Sequence, residues 1–266
     1  MRHDRAVDLS DDLALAMRLA DAADEITTSR YGARDLRVEG KPDRSPVTDA
    51  DLAVEDAMRA VLAAERPADA VTGEERGGAT SPSGRGWLVD PIDGTKNFLR
   101  GVPAWATLIA LLVDGEPVLG MVSGPALHRR WWAARGQGAW VAGSGQEPRR
   151  LAVSAVDSLA DAYLSTTDLT SWVRHHSRQA YLALVDACWD SRAFGDFWQY
   201  CLLAEGALDV VAEPIVNPWD LAAVQVLIEE AGGRFTDLTG ARRHDGGTAL
   251  ATNGPLHDDA LRLLRL

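Results

Sequence analysis

Hydrophobic and polar positions along this chain keep a helical rhythm first, then a strand rhythm, and then alternate between the two. Leu13, Ala16, Met17, Leu19, Ala20 and Ala23 fall near helical spacing and predict an amphipathic helix over Asp11–Thr28, with Ser10 or Asp11 as its cap and Gly32 beyond its end. A polar stretch, Leu36–Pro46, reads as extended chain or a hairpin. Thr48 then caps a second helix, Ala50–Ala64, whose apolar face is Leu52, Val54, Met58, Val61 and Leu62. Val71–Glu75 is a short strand with two acids at its end, followed by a Gly-, Ser- and Pro-rich loop, Gly77–Gly86.

The rhythm of two takes over after residue 86. Trp87–Val89 is a short apolar run that stops at Asp90, and Trp105–Val113, Pro117–Ser123 and Arg130–Ala134 read as strands. Asp114-Gly115 and Gly124-Pro125 separate them, so an antiparallel meander is expected, with Gly136–Ala139 turning into one more strand. Beyond Gly143–Pro148 the elements alternate. Tyr163–Thr166 is a strand, Ser177–Cys188 a helix, Ser191–Phe194 a strand and Phe197–Gly206 a helix that starts where Gly195-Asp196 breaks the pattern. Leu208–Ala212, Arg234–Asp237 and Ala249–Asn253 are strands, and Asp220–Ala231 and His257–Leu264 are helices. The sum is an α/β (α+β) chain, read as a single domain over 1–266 with two lobes, approximately 1–145 and 146–266.

Composition narrows the partners. With 266 residues and 46% hydrophobic content, the chain can bury a large core. Its 39 acidic side chains against 27 Lys plus Arg give a formal charge of −12, which argues against a nucleic-acid or anionic-membrane surface, Arg129-Arg130 beside Trp131-Trp132 notwithstanding. Cys188 and Cys201 have no Cys-x-x-Cys spacing and are expected to be buried free thiols. The six histidines show no metal spacing, and nearly all are expected at the surface. Met1–Asp12 has no apolar signal core and Ala104–Val113 is too short to cross a bilayer, so the expected location is cytoplasmic.

Candidate chemistry concentrates in Trp87–Phe98, where a strand delivers Asp90, Asp93, Gly94 and Thr95 to a turn. Carboxylates there attract divalent cations, and unpaired N–H groups at a helix start attract phosphate. Glu74 after Gly73 and Asp220 after Trp219 repeat the pattern of an acid at a junction, which makes four candidate ligands, with the Ile92 carbonyl as a further one. Oxygen-only ligation points to a hard cation, and few carboxylates with room for water suit Mg²⁺. Taken singly, each Asp is as well explained by a cap or an Asx turn.

Three segments in register change that weighing. Gly73-Glu74-Glu75, Asp90–Thr95 with Asn97-Phe98, and Trp219–Ala223 resemble the Mg²⁺-dependent inositol monophosphatase superfamily across essentially the whole chain. The resemblance implies a layered α-β-α-β-α fold, a homodimer and hydrolysis of phosphate monoesters. Carried onto this sequence, it implies metal ligation by Glu74, Asp90, the Ile92 carbonyl, Asp93 and Asp220. Asp51 and Thr95 are implied as the pair orienting the attacking water, with Glu74 also catalytic, and Asp93, Gly94 and Thr95 at the phosphate. Five carboxylates beside a phosphate dianion call for about two or three Mg²⁺ ions. Lys41 lies near the position of a family lysine, displaced by one residue; Glu75 reads as a neighbour of the ligand, and Asp49 as a helix cap.

The second half bears on the alcohol. Asp196 follows Gly195 where inositol phosphatases carry a small or hydroxylated residue, Tyr200 lies one helical turn on, and Glu213 falls where the family contacts the organic part of its substrate. Two carboxylates suit a cationic alcohol such as L-histidinol better than a neutral polyol. Gly-Asp-x-x-x-Tyr, Trp131–Gly136 and Asp93–Phe98 with Lys96 also resemble the histidinol-phosphate phosphatases of the superfamily. The alternatives are inositol-1-monophosphatase, a 3′-phosphoadenosine nucleotidase, a fructose bisphosphatase, or an inert metal- or phosphate-binding scaffold. Asp196 has the alternative role of N-cap, Glu213 that of a surface acid, and Tyr200 and Cys201 that of core positions.

Overall fold

The architecture comes from a computed structural model that describes residues 9–42, 45–78 and 83–265. Residues 1–8, 43–44 and 79–82, within the N-terminal stretch, the hairpin segment and the Gly-, Ser- and Pro-rich loop discussed above, lie outside the described residues, as does 266. In chain order the elements begin with α1 (Ser10–Arg30), β1 (Val38–Gly40), β2 (Pro46–Thr48), α2 (Asp49–Glu65), β3 (Ala70–Gly73), β4 (Arg85–Asp93) and α3 (Thr95–Arg100). There follow β5 (Ala106–Val113), β6 (Glu116–Gly124), β7 (Arg129–Ala134), β8 (Gly138–Gly143), β9 (Arg149–Arg150), β10 (Tyr163–Ser165), α4 (Leu169–His175) and α5 (Arg178–Ala187). The chain closes with β11 (Asp190–Arg192), α6 (Asp196–Ala204), β12 (Val210–Glu213), α7 (Pro218–Glu230), β13 (Arg234–Thr236), β14 (Ala249–Thr252) and α8 (His257–Leu264).

Among the described residues, two large sheets, a small antiparallel β1-β2 pair and three helical layers result. Strands β3 to β9 form a sheet in sequence order, with β3 parallel to β4 and each later neighbour antiparallel, which is the expected meander. The second sheet has the order β11-β10-β12-β14-β13. Helices α1 and α2 cover one face of the large sheet through Leu15, Leu19, Val54, Met58 and Leu62. Helices α6 and α7 fill the space between the sheets, and α5 and α8 cover the outer face of the second sheet. Helix α7 is apolar nearly all round because it is buried between two sheets. It approaches β6 closely at Gly120, where an added Cβ would lie 2.1 Å from the Ala223 carbonyl oxygen. That approach fixes the N-terminus of α7, and with it Asp220.

Several expectations change. Strand β4 does not stop at Asp90 but runs to Asp93, which still pairs with Ala106. A register shift between Asp90 and Asp93 absorbs Pro91, whose missing N–H would otherwise cost a ladder bond. Neither Ser10 nor Asp11 caps α1; Leu9 holds that position without a side-chain cap. Helix α4, capped by Asp168 accepting from the Ser171 N–H, was not expected, nor was the burial of its Trp172. His244 and His257 are buried rather than surface residues, and the His257 ring joins the hydroxyls of Thr236 and Thr252. Cys201 is buried and Cys188 half-buried, both free.

Candidate active site

The bulged end of β4 and the first turn of α7 bring Asp90, Asp93 and Asp220 together, with one oxygen from each lying within 4.8 Å of the others. One oxygen of each acid also accepts a backbone N–H. Asp90 Oδ1 accepts from the Ile92 N–H at 3.0 Å, Asp93 Oδ2 from the Phe197 N–H at 2.6 Å, and Asp220 Oδ2 from the Asn217 N–H at 2.8 Å. The Asn217 contact completes the capping box of α7, so Asp220 is a helix cap and a site residue at once. Burial first, then repulsion from Glu74 and the other acids, pushes Asp90 well above the usual carboxylate range. Asp93 moves the same way, through burial and then the charge of Asp196. Asp220 rises to about 7, again chiefly by burial. Three desolvated carboxylates facing one point lack a counter-charge, and an oxygen-only donor set fits a hard divalent cation.

Glu74 follows β3 and its N–H donates to the Val89 carbonyl, which places it beside β4. Its carboxylate lies outside the tight group of three acids and accepts from Lys41 Nζ at 2.6 Å, while the same ammonium reaches Glu75 at 2.7 Å. Burial alone would lower the Lys41 pKa, but the hydrogen bonds to both glutamates hold it above its ordinary value. Asp51 is buried. Its Oδ2 accepts from the Thr48 N–H at 2.8 Å and from the Thr48 hydroxyl, whereas Oδ1 is buried with no partner in the structure. Burial raises Asp51 to about 6. An orphaned buried carboxylate oxygen fits a site built for a cation and its water. The expected pairing of Asp51 with Thr95 is not made as a hydrogen bond among the described residues; the Thr95 hydroxyl donates to the Ile92 carbonyl at 3.1 Å. Asp49 accepts from Arg30 at 2.9 Å, which suits a structural residue.

Two adjoining hollows continue the site. One of about 390 Å³ is lined by Glu74, Gly94, Thr95, Lys96, Asn97 and Asp196. The other, of about 210 Å³, is lined by Asp93, Asp196, Gln199, Tyr200, Glu213 and Asp220. Gly94 adopts a φ of 81°, and a Cβ there would meet the Ala104 carbonyl at 2.9 Å, so no side chain intrudes on this turn. Asp196 is not an N-cap. Gly195 takes that position, Asp196 has a φ of 47°, and its Oδ2 accepts from Asn97 Nδ2 at 3.0 Å. Burial lifts Asp196 to about 6, Lys96 opposing and Asp168 adding to the shift.

Glu213 is 3% exposed, so it is no surface acid. Its Oε1 takes all the protein donors, the Thr167 N–H at 2.6 Å, the Thr167 hydroxyl at 2.7 Å and Gln199 Nε2 at 2.6 Å. Burial, partly offset by these bonds, brings Glu213 to about 7. The Tyr200 hydroxyl is buried without a partner on the same hollow. Thr167 and Gln199 carried no local signal in the sequence, because they meet Glu213 only when β10, α6 and β12 pack. Asn97 was visible in its motif but its partner lies 99 residues away.

Comparison with known proteins agrees with this geometry. Residues 8–264 match the inositol monophosphatase family. A histidinol-phosphatase of Mycobacterium tuberculosis is 57% identical over 96% of this chain and 98% of its own length. A histidinol-phosphatase of Streptomyces coelicolor is 49% identical over 97% of this chain and 98% of its own length. Among solved structures, an inositol monophosphatase of Zymomonas mobilis superposes with a TM-score of 0.85 at 34% identity, covering 97% of this chain and 99% of that one. With the layered fold, the three-acid cluster and these relatives in hand, the chain belongs to the inositol monophosphatase family.

Proposed function

We propose that this protein is a Mg²⁺-dependent histidinol-phosphatase, hydrolysing L-histidinol phosphate to L-histidinol and inorganic phosphate. The observation that carries the substrate is the pair of acids, half-buried Asp196 and buried Glu213, lining the hollow next to Asp93 and Asp220. A primary ammonium and a protonatable imidazole complement two carboxylates in a partly desolvated site, where a neutral polyol leaves both uncompensated. The two relatives named above as histidinol-phosphatases support the same substrate.

In this reading Asp90, Asp93 and Asp220, with Glu74 and the Ile92 carbonyl, hold about two or three Mg²⁺ ions. Bound there, Mg²⁺ supplies positive charge to the phosphate oxygens and lowers the pKa of a coordinated water. Asp51 and Thr95 orient the attacking water, and the N–H groups of Gly94 and Thr95 take phosphate oxygens where α3 begins. Asp196 and Glu213 hold the leaving alcohol through its cationic groups. The reading extends to one domain of two lobes meeting at about residue 145, a homodimer, and a cytoplasmic location; no described helix is long and apolar enough to cross a membrane.

Phosphate release from a panel of esters by the purified protein with Mg²⁺ tests the proposal. The expected result is the highest kcat/KM for histidinol phosphate. A higher kcat/KM for inositol 1-phosphate overturns the substrate, and no turnover on any ester leaves the inert scaffold.

A further inference from the structure

Helix α2 presents Asp51, Glu55 and Arg59 on one face, each a turn beyond the last. Asp51 belongs to the site described above. Glu55 does not face it, yet it is fully buried, and two of its three hydrogen bonds run to the turn that carries Glu74. Glu55 Oε2 accepts from the Glu75 N–H at 2.8 Å, and Oε1 accepts from the Arg76 N–H at 3.1 Å and from Arg59 Nε at 2.8 Å. Arg59 in turn donates to the carbonyls of Val71, at 3.3 Å, and Gly77. The turn itself closes through the Gly73 N–H on the Gly77 carbonyl at 3.0 Å.

Gly73 adds an independent observation. Its backbone is not in the left-handed region, so conformational freedom does not explain it; a Cβ there would lie 2.2 Å from Glu55 Oε1. The glycine makes room for the carboxylate. A carboxylate is also the group this position needs, because donors converge on both of its oxygens, and an amide would turn an NH₂ toward one of them.

We propose that Glu55 is a positioning residue for the phosphatase site. It locks the Glu74–Gly77 turn to α2, so that one helix sets both Asp51 and the Glu74 carboxylate. The inference rests on the reading of Glu74 as a metal ligand.

Calorimetric Mg²⁺ titration of the full chain, run well below each variant's Tm, tests it on Glu55→Gln, with Asp93→Asn and the exposed Glu65→Gln, which pairs with Arg18 away from the turn, alongside. The expected result for Glu55→Gln is an Mg²⁺ affinity weakened about 10–100-fold, as for other partners that orient a metal ligand. The Mg²⁺ concentration for half-maximal turnover rises by the same factor, KM at saturating Mg²⁺ stays put, and Glu65→Gln behaves as wild type. A lowered Tm with wild-type Mg²⁺ affinity in Glu55→Gln, while Asp93→Asn loses binding, makes Glu55 merely structural and overturns the proposal. Wild-type affinity in Asp93→Asn as well overturns the metal reading beneath it. Should Glu55→Gln fail to fold, Gly73→Ala, which crowds the carboxylate by one methyl, carries the same expectation, and wild-type Mg²⁺ affinity in that variant overturns the proposal.

Discussion

At position 196 a carboxylate sits on a backbone with positive φ, a conformation that Asp tolerates better than most residues. Asn97, in α3 just beyond the Asp93-Gly94 turn, donates to one of its oxygens. Replacing Asp196 by Ser removes the charge and keeps a small polar group. A hydrogen bond to a charged group is worth about 1.5–3 kcal/mol, so kcat/KM for histidinol phosphate is expected to fall roughly 10–100-fold. A neutral ester gains nothing from that charge, and its kcat/KM should move far less. Steady-state kinetics on both esters check this, and an equal loss on the two would mean that Asp196 shapes the site without selecting the alcohol.

Helix α2 shows how local rules and site chemistry share residues. Thr48 caps the helix by accepting from the Ala50 and Asp51 N–H groups, and its own N–H and hydroxyl hold Asp51 Oδ2. Thr48→Ala therefore removes a cap worth about 1 kcal/mol and also takes the hydroxyl partner from the Asp51 carboxylate, leaving it the backbone N–H alone. The expected outcome is a lower denaturation midpoint together with a lower kcat, and Thr48→Ser should restore both. A stability loss with unchanged kcat would separate the cap from the site. At the other side of the sheet, Gly120→Ala drives a methyl into the Ala223 carbonyl and should cost about 1–3 kcal/mol by overpacking. Because α7 must shift, weaker Mg²⁺ binding at Asp220 is expected with it, measured by the same calorimetric titration.

These elements also mark where sequence reasoning reaches. Thr48, Asp51 and the turn glycine Gly94 were legible because their partners lie within a few residues, and the meander was legible because its turns are two-residue signals between alternating runs. Helix α8 was predicted with its observed bounds. The continuation of β4 through Pro91 was not legible, since a bulge is decided by the neighbouring strand β5 and not by local propensity. Asp196 had a cap as its alternative reading, and only the approach of α3 to α6 shows its partner. Glu55 looked like one more acid on a helix. Nothing in its spacing announces that its partners are three N–H donors, two of them in a turn twenty residues on.

Across the whole molecule, the layers converge on a set of acids that the fold holds together against their mutual repulsion. Asp51 and Asp196 rise to about 6, and Asp220 and Glu213 to about 7, each chiefly through burial. A carboxyl whose folded pKa is raised binds its proton more tightly folded than unfolded. Its contribution favours folding at low pH and is lost as pH rises through the folded value, here from about 4 up to about 7. His257 acts in the opposite sense: burial lowers it to about 4, so its contribution is present above about 6.5 and is lost as pH falls toward 4. The two trends oppose each other in the metal-free protein, but only the acids of the proposed metal site are expected to answer to Mg²⁺. Proton and metal compete for the same oxygens, and a ligand stabilises the folded state by its affinity at that pH. The rise in Tm caused by a fixed excess of Mg²⁺ should therefore be small near pH 5 and grow as pH rises through about 7, where Asp220 surrenders its proton; burial and mutual repulsion shift Asp90 and Asp93 in the same upward direction. The His257 contribution is common to the scans with and without metal and cancels in the difference. Differential scanning calorimetry across pH measures it directly, and a Mg²⁺-induced shift that did not change with pH would place the ion somewhere other than on these buried carboxylates.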